Sequence, residues 1–281
     1  MQKVAIFGVG LMGGSFALAL RRAGFQGEIL GVSSSSTVSE AIHLGVIDRG
    51  VPLEEAAAIA DLVYLAQPIC QIIETIKLLA GRLKPGAIVT DAGSTKVEIV
   101  EQGTRLLGPD RFLGGHPMAG KELRGVRAAE AGLFHGRTYF FCAPNQSIFE
   151  HPFAKELIAY VEKFGASPVM LAAEEHDRLV SLTSHLPQLA STSLACVLSK
   201  SLSSQLARSG AGPGLVDMTR LAKSSYDLWA DILSTNAVCI DRALSLYIEE
   251  LQSIRESLNR QSIGTTFDQG AQFAAFVRKP R

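Results

Sequence analysis

The sequence predicts an α/β protein, with a doubly wound parallel sheet in its first part and an all-helical domain after it. Three observations carry this prediction. Short apolar, β-rich runs alternate with helical segments as far as Leu171, the β signal stops near Ala172, and a glycine-rich turn joins the first strand to the first helix.

The β-rich runs are Val4-Ala5-Ile6-Phe7, Ile29-Leu30-Gly31-Val32, Leu62-Val63-Tyr64-Leu65-Ala66, Ala87-Ile88-Val89-Thr90, Phe112-Leu113, Thr138-Tyr139-Phe140-Phe141-Cys142 and Pro168-Val169-Met170-Leu171. Continuous apolar runs of this length suit parallel strands covered on both faces by crossover helices. From Ala172 the pattern is helical through to Leu258. Within it Ile240, Leu244, Ile248, Leu251, Ile254 and Leu258 recur at helical spacing, forming one apolar stripe. That stripe suits packing inside its own subunit and contact between subunits equally well. A loop between helices is expected near Ser209-Gly210-Ala211-Gly212-Pro213-Gly214, and the last twenty or so residues lack clear periodicity. The expected domains are therefore residues 1–171 and 172–281.

With 281 residues, 47% hydrophobic and 19% charged, the chain can bury a substantial core. Lys+Arg and Asp+Glu both number 27, and no basic block stands out to neutralise phosphates or hold a membrane surface, which argues against a nucleic-acid or membrane partner. The four cysteines lie far apart, with no zinc-ligand spacing, and read as buried apolar residues of an intracellular protein; no metal is expected. Met1-Gln2-Lys3 runs straight into a strand pattern, and no stretch reaches the ~18 apolar residues of a membrane span, so a cytoplasmic protein is expected.

The turn Gly8-Val9-Gly10-Leu11-Met12-Gly13-Gly14-Ser15 lies between the first strand and a helix, which is the context that G-x-G-x-x-G requires. Gly8 permits the tight turn, Gly10 lets a pyrophosphate approach the backbone, and Gly13 allows close packing of helix on strand. Gly8, Gly10, Leu11, Met12 and Gly13 are thus candidate dinucleotide-binding residues of a Rossmann-type domain. An NAD-binding domain of this type carries an acid after the second strand, for the ribose hydroxyls. Here that strand ends in Ser33-Ser34-Ser35-Ser36, four hydroxyls that would accept a 2′-phosphate without repulsion, so NADP is favoured over NAD. No arginine adjoins them in the sequence; the alternative is a solvated loop that reads neither cofactor strictly.

Two further polar residues follow neighbouring strands: Ser94 in Thr90-Asp91-Ala92-Gly93-Ser94-Thr95-Lys96, and His116 in Gly114-Gly115-His116-Pro117-Met118-Ala119-Gly120. Ligands of parallel sheets bind at the carboxyl ends of strands, so both should face the nicotinamide. Ser94 could instead cap the helix beginning near Lys96.

Together with Ser184-His185-Leu186-Pro187 and Thr219-Arg220-Leu221-Ala222-Lys223, these motifs occur in an order that resembles the prephenate/arogenate dehydrogenase family. The resemblance implies oxidative decarboxylation of a cyclohexadiene, with hydride leaving C4 for NAD(P), the 4-hydroxyl losing its proton and the ring carboxylate departing as CO2. It assigns His116 to the 4-hydroxyl, from a rigid turn over the cofactor, and Ser94 to a hydrogen bond with the histidine or that hydroxyl. Arg220 is assigned to a substrate carboxylate, as its guanidinium fork suits. His185 is assigned to the substrate pocket, beside a local distortion expected from Pro187. Glu122 and Asp217 match acidic positions that can form ion pairs near the entrance. The family also implies a homodimer through the helical domain. Two alternatives are a β-hydroxyacid dehydrogenase, disfavoured because Lys223 is followed one turn later by Asp227 rather than asparagine, and a non-catalytic NADP(H)-binding regulator.

Overall fold

A computed structural model describes residues 1–258 and 263–279. Among these, β1 (Lys3–Phe7), β2 (Glu28–Val32), β3 (Arg49–Gly50), β4 (Leu62–Leu65), β5 (Ile88–Asp91), β6 (Phe112–Pro117), β7 (Thr138–Cys142) and β8 (Ser167–Leu171) form one sheet. Its order is β3-β2-β1-β4-β5-β6-β7-β8, so the chain reverses direction across the sheet between β1 and β4. In a sheet of this kind a crevice opens at that switch point, outside the carboxyl ends of the strands.

The seven β-rich runs all become strands, and three details differ from the expectation. A two-residue strand, β3, pairs Arg49 with Leu30 and Gly50 with Gly31; it is too short to leave a pattern. β7 is antiparallel to β6, because their connection holds only a 3-10 turn (Val126–Ala128) where a parallel return needs a crossover helix. β6 runs on to Pro117, so His116 lies in extended strand opposite Phe140, not in a turn.

The sheet's helices are α1 (Leu11–Arg22), α2 (Ser35–His43), α3 (Leu53–Ile59), α4 (Ile69–Leu79), α5 (Val97–Leu107), α6 (Ser147–Glu150) and α7 (Pro152–Lys163). Strand alternation divides the core into two layers. Leu62 and Tyr64 of β4 join Phe16, Phe134 and Phe164 on one face. Val63 and Leu65 join Ile72, Ile76, Ile99 and Phe112 on the other. Burial of each such large side chain stabilises the fold by about 1.5–3 kcal/mol.

After β8 the chain is helical: α8 (Ala173–Val180), α9 (Leu186–Ser201), α10 (Ser204–Ser209), α11 (Pro213–Thr219), α12 (Tyr226–Thr235), α13 (Ala237–Ser257) and α14 (Ile263–Val277). Ser181–His185, between α8 and α9, is a π-helical turn. Pro187 lacks the N–H that would continue a regular ladder, and the wider turn precedes it directly. α14 corrects the expectation of an aperiodic tail, its pattern having been diluted by Gly264 and Gly270. The stripe on α13 divides in two, with Ile240 buried but Ile248, Leu251 and Leu258 exposed in the single chain.

The cysteines also depart from expectation. Cys142 is buried, but Cys70 and Cys196 are exposed and Cys239 is half-buried, and all four are unpaired. Cys70 opens onto Asp231, whose carboxylate accepts hydrogen bonds from its backbone N–H (3.0 Å) and its thiol (3.2 Å). Among the described residues, no helix is long and apolar enough to cross a membrane.

Candidate active site

Gly8 follows β1 with φ +86°, and a Cβ there would stand 2.7 Å from the Ala66 carbonyl oxygen; only glycine fits this turn. A Cβ on Gly10 would meet nothing within 4 Å, so the space above it is open to a ligand. Gly10 caps α1 without a side-chain acceptor, which leaves the first-turn amides available to an anion. Leu11 and Met12 are half-buried at the start of that helix, packed on the core. Gly13 lies against Ile6 and the Gly8 carbonyl, too close for a side chain. Beside this turn runs a groove of about 380 Å³, lined by Gly8, Gly10, Ser33, Ser34, Thr37 and Gln67 among others, with no acid in its wall.

The serine run is not a plain loop. Ser34 caps α2, its Oγ accepting from Thr37 N–H at 3.4 Å, while Ser35 is the first residue of that helix. Ser33, exposed at the end of β2, lines the groove.

Along the same carboxyl edge, the ends of β5 and β6 are locked together. Asp91 is fully buried, and its Oδ1 accepts from Gly115 N–H (3.0 Å) and its Oδ2 from Gly93 N–H (2.7 Å) and the Lys96 ammonium. Lys96, also buried, donates to the Gly115 carbonyl at 2.8 Å. A Cβ on Gly115 would come within 2.4 Å of the Asp91 carbonyl oxygen, so glycine is what lets the two strand ends approach. This lock holds the peptide unit immediately before His116.

His116 is 8% exposed. Its Nδ1 lies 2.8 Å from His176 Nε2, and His176 Nδ1 lies 2.8 Å from Asp177 Oδ1. The edges of Phe140 and His116 meet the His176 ring at 5.3 Å and 5.0 Å between centroids. Burial, with His176, Lys96 and His185 nearby, holds the His116 imidazole well below its usual range, so it is neutral near pH 7. Burial lowers His176 as well, against the raising pull of its hydrogen bond to Asp177.

The same aspartate reaches two other elements. Its Oδ1 and Oδ2 accept from Lys96 N–H (2.7 Å) and Val97 N–H (2.9 Å), capping α5 from a distant helix. Ser94 therefore does not cap α5, nor does it bond His116, whose Nδ1 partner is His176; it sits half-buried on the loop between β5 and α5. The Asp177 carbonyl accepts from Asn236 Nδ2 (2.9 Å), which also stands 3.3 Å from His185 Nδ1. Burial brings the His185 pKa down to about 4. Trp229 stands edge-on to His185 at 5.9 Å, and its buried Nε1 has no partner among the described residues.

His116 and His185 thus share one buried network, and the charged candidates lie outside it. Arg220 opens an exposed 3-10 turn (Arg220–Lys223), which α9 holds through Gln188 to the Leu221 carbonyl (2.8 Å) and through Ser191 Oγ to Ala222 N–H (3.1 Å). Glu122 and Asp217 are exposed. Neither pairs with a cation among the described residues, so the expected ion pairs are not formed within one chain; both acids stand on solvated loop or helix surface. The residues missing from the sequence reading are His176 and Asp177. They lie in Glu174-Glu175-His176-Asp177-Arg178, which looks like a solvated helix start, yet they share the helical face of Ala173 and Val180, and that spacing was the available signal.

Residues 16–170 match the family described as prephenate dehydrogenase, nucleotide-binding domain, and residues 172–268 match prephenate dehydrogenase, dimerization domain. The chain belongs to the prephenate dehydrogenase family. It is 34% identical to the prephenate dehydrogenase of Lactococcus lactis subsp. cremoris, over 96% of this chain and 76% of that one. Prephenate dehydrogenase of Aquifex aeolicus, solved with hydroxyphenyl propionate and NAD+, superposes with a TM-score of 0.89 at 31% identity, covering 99% of both chains. Synechocystis arogenate dehydrogenase gives 0.82 at 28% identity, covering 97% of this chain and 98% of that one. Membership makes this prephenate dehydrogenase homologue a nicotinamide-dependent oxidoreductase and sets aside the hydroxyacid and regulator readings.

Proposed function

We propose that this chain oxidatively decarboxylates prephenate or arogenate with a nicotinamide dinucleotide, yielding 4-hydroxyphenylpyruvate or tyrosine. The observation that carries the reading is a neutral, buried His116 at the carboxyl end of β6, on the sheet edge that also presents the open Gly8–Gly13 turn. The bound nicotinamide supplies the hydride acceptor. His116 accepts the proton of the substrate 4-hydroxyl as C4 takes on carbonyl character, a role for which a neutral imidazole is the right form. Loss of CO2 from C1 then sends its bonding electrons through the ring to the 4-oxygen, which takes the proton back from His116 as the ring becomes aromatic. Ser94 aligns the hydroxyl and the nicotinamide from the neighbouring strand end. Arg220 holds a substrate carboxylate, His185 lines the pocket, and Glu122 and Asp217 guard the entrance.

NADP is the preferred cofactor on this reading. Support comes from a groove wall with hydroxyls at Ser33 and Thr37 and no carboxylate to repel a 2′-phosphate. Residues 1–171 bind the dinucleotide, and residues 172–281 complete the substrate pocket and pair two copies into a dimer. A cytoplasmic setting suits four unpaired cysteines.

Initial rates of the purified protein, pairing prephenate or arogenate with NAD or NADP, test the reading directly. Turnover is expected in at least one pairing, fastest with NADP, and Ser33→Asp should move the preference toward NAD. Absence of turnover in all four pairings, with dinucleotide binding intact, overturns the assignment.

A further inference from the structure

The hydrogen bonds behind His116 have a direction that chemistry decides. The Asp177 carboxylate already accepts two backbone amides, Lys96 N–H at 2.7 Å and Val97 N–H at 2.9 Å, so it offers His176 Nδ1 a further acceptor. His176 Nδ1 must then carry hydrogen, which in a neutral ring makes Nε2 an acceptor. The atom 2.8 Å from that Nε2 is His116 Nδ1, which must therefore donate. A neutral His116 with hydrogen on Nδ1 has its lone pair on Nε2, the ring nitrogen with no hydrogen-bond partner among the described residues.

We propose that His176 and Asp177 are positioning residues that set the tautomer of His116 and leave its Nε2 unprotonated toward the reacting hydroxyl. The inference rests on the reaction proposed above, in which the proton passes from the substrate oxygen to His116 Nε2. The opposite tautomer would present N–H where a base is required. Once Nε2 takes the proton, the positive ring donates from Nδ1 to His176, which is in turn held by the Asp177 carboxylate. That arrangement counters what disfavours charge there: burial first, then the charged form of His176, which a neutral accepting ring avoids, the Lys96 ammonium from the β5–α5 loop, itself paired with Asp91, and His185 from the π-helical turn. His176 is fully buried and Asp177 1% exposed, so water cannot take over either hydrogen bond.

Two measurements on the full-length, dinucleotide-loaded protein test this. The first is long-range 1H–15N correlation of the imidazoles near pH 7.5, assigned by loss of signals in single histidine variants. His116 is expected with hydrogen on Nδ1 and a pyridine-type Nε2; hydrogen on Nε2 overturns the proposal. The second compares His176→Leu, which removes the acceptor, with His176→Gln, which places an amide oxygen near the lost Nε2. His176→Leu should lower kcat about 100-fold, with the KM of the substrate and the Kd of the dinucleotide within threefold of the parent, and His176→Gln should recover most of the loss. Parental kcat in the leucine variant, or equal loss in both variants, overturns it. If His176→Leu fails to fold, the tautomer in the parent decides alone. A parent inactive in every substrate pairing but with hydrogen on His116 Nδ1 refutes the proposed reaction and leaves the histidine chain standing.

Discussion

His116 combines a buried ring, a depressed pKa and one tied nitrogen. Replacing it with asparagine should lower kcat by about 100- to 10,000-fold, the usual range for a lost general base. The dinucleotide Kd from a fluorescence titration should not change, since the groove residues are untouched; near-parental turnover would remove His116 from the chemistry. The three buried histidines also set a pH limit on the fold. The unfolded chain protonates such rings below about 6.5, whereas folded His185 holds off until about 4. The unfolded state therefore binds more protons between these values, so stability is complete above pH 6.5 and falls as the pH drops toward 4. His185 alone accounts for on the order of 3 kcal/mol across that window, and His116 and His176 shift in the same direction. Urea midpoints should decline between pH 7 and pH 5; a flat profile would mean that the rings protonate without unfolding.

At the level of elements, the spacing of β5 and β6 depends on Gly115. Gly115→Ala would force a Cβ against the Asp91 carbonyl oxygen, at 2.4 Å in the present geometry, and the strand ends must separate. A cost of about 1–3 kcal/mol is expected for such overpacking, measured by urea unfolding. Because the displaced peptide adjoins His116, kcat should fall as well; unchanged stability would show that the strands tolerate the wider spacing. Gly114 and Gly115 also explain why this strand was only partly legible in the sequence. Phe112-Leu113 carries the β signal, while the next two residues have no side chain to report it, and the partner that extends β6 to Pro117 lies across a long connection. The glycine-rich turn was readable because its geometry is local, with glycines at the spacing a phosphate-binding turn requires. His176 and Asp177 were not, because their role exists only once α8 docks on the β5–α5 loop.

For the whole molecule, the two parts differ in how completely one chain covers them. The sheet buries nearly all its large apolar residues, whereas the helical part leaves Leu251, Leu258, Phe267, Phe273 and Phe276 between 46% and 72% exposed. Apolar surface gathered on two consecutive helices, α13 and α14, needs a partner. Light scattering after gel filtration should give twice the chain mass, and Leu251→Asp with Phe267→Asp should give one chain; an unaltered dimer would locate the contact elsewhere. Covering this surface is one route by which the parts depend on more than their own sequence; the helix caps are another. Asp177 and Asp231, from α8 and α12, satisfy the first amides of α5 and α4 in the sheet region. The caps have a consequence in time during synthesis. Asp177 follows Lys96 by 81 residues and Asp231 follows Cys70 by 161. At roughly 5–20 residues per second on the ribosome, α5 waits about 4–16 s for its cap, and α4 about twice as long. The nascent sheet therefore emerges with both helix starts still bound to water, and only translation of the second half completes the first.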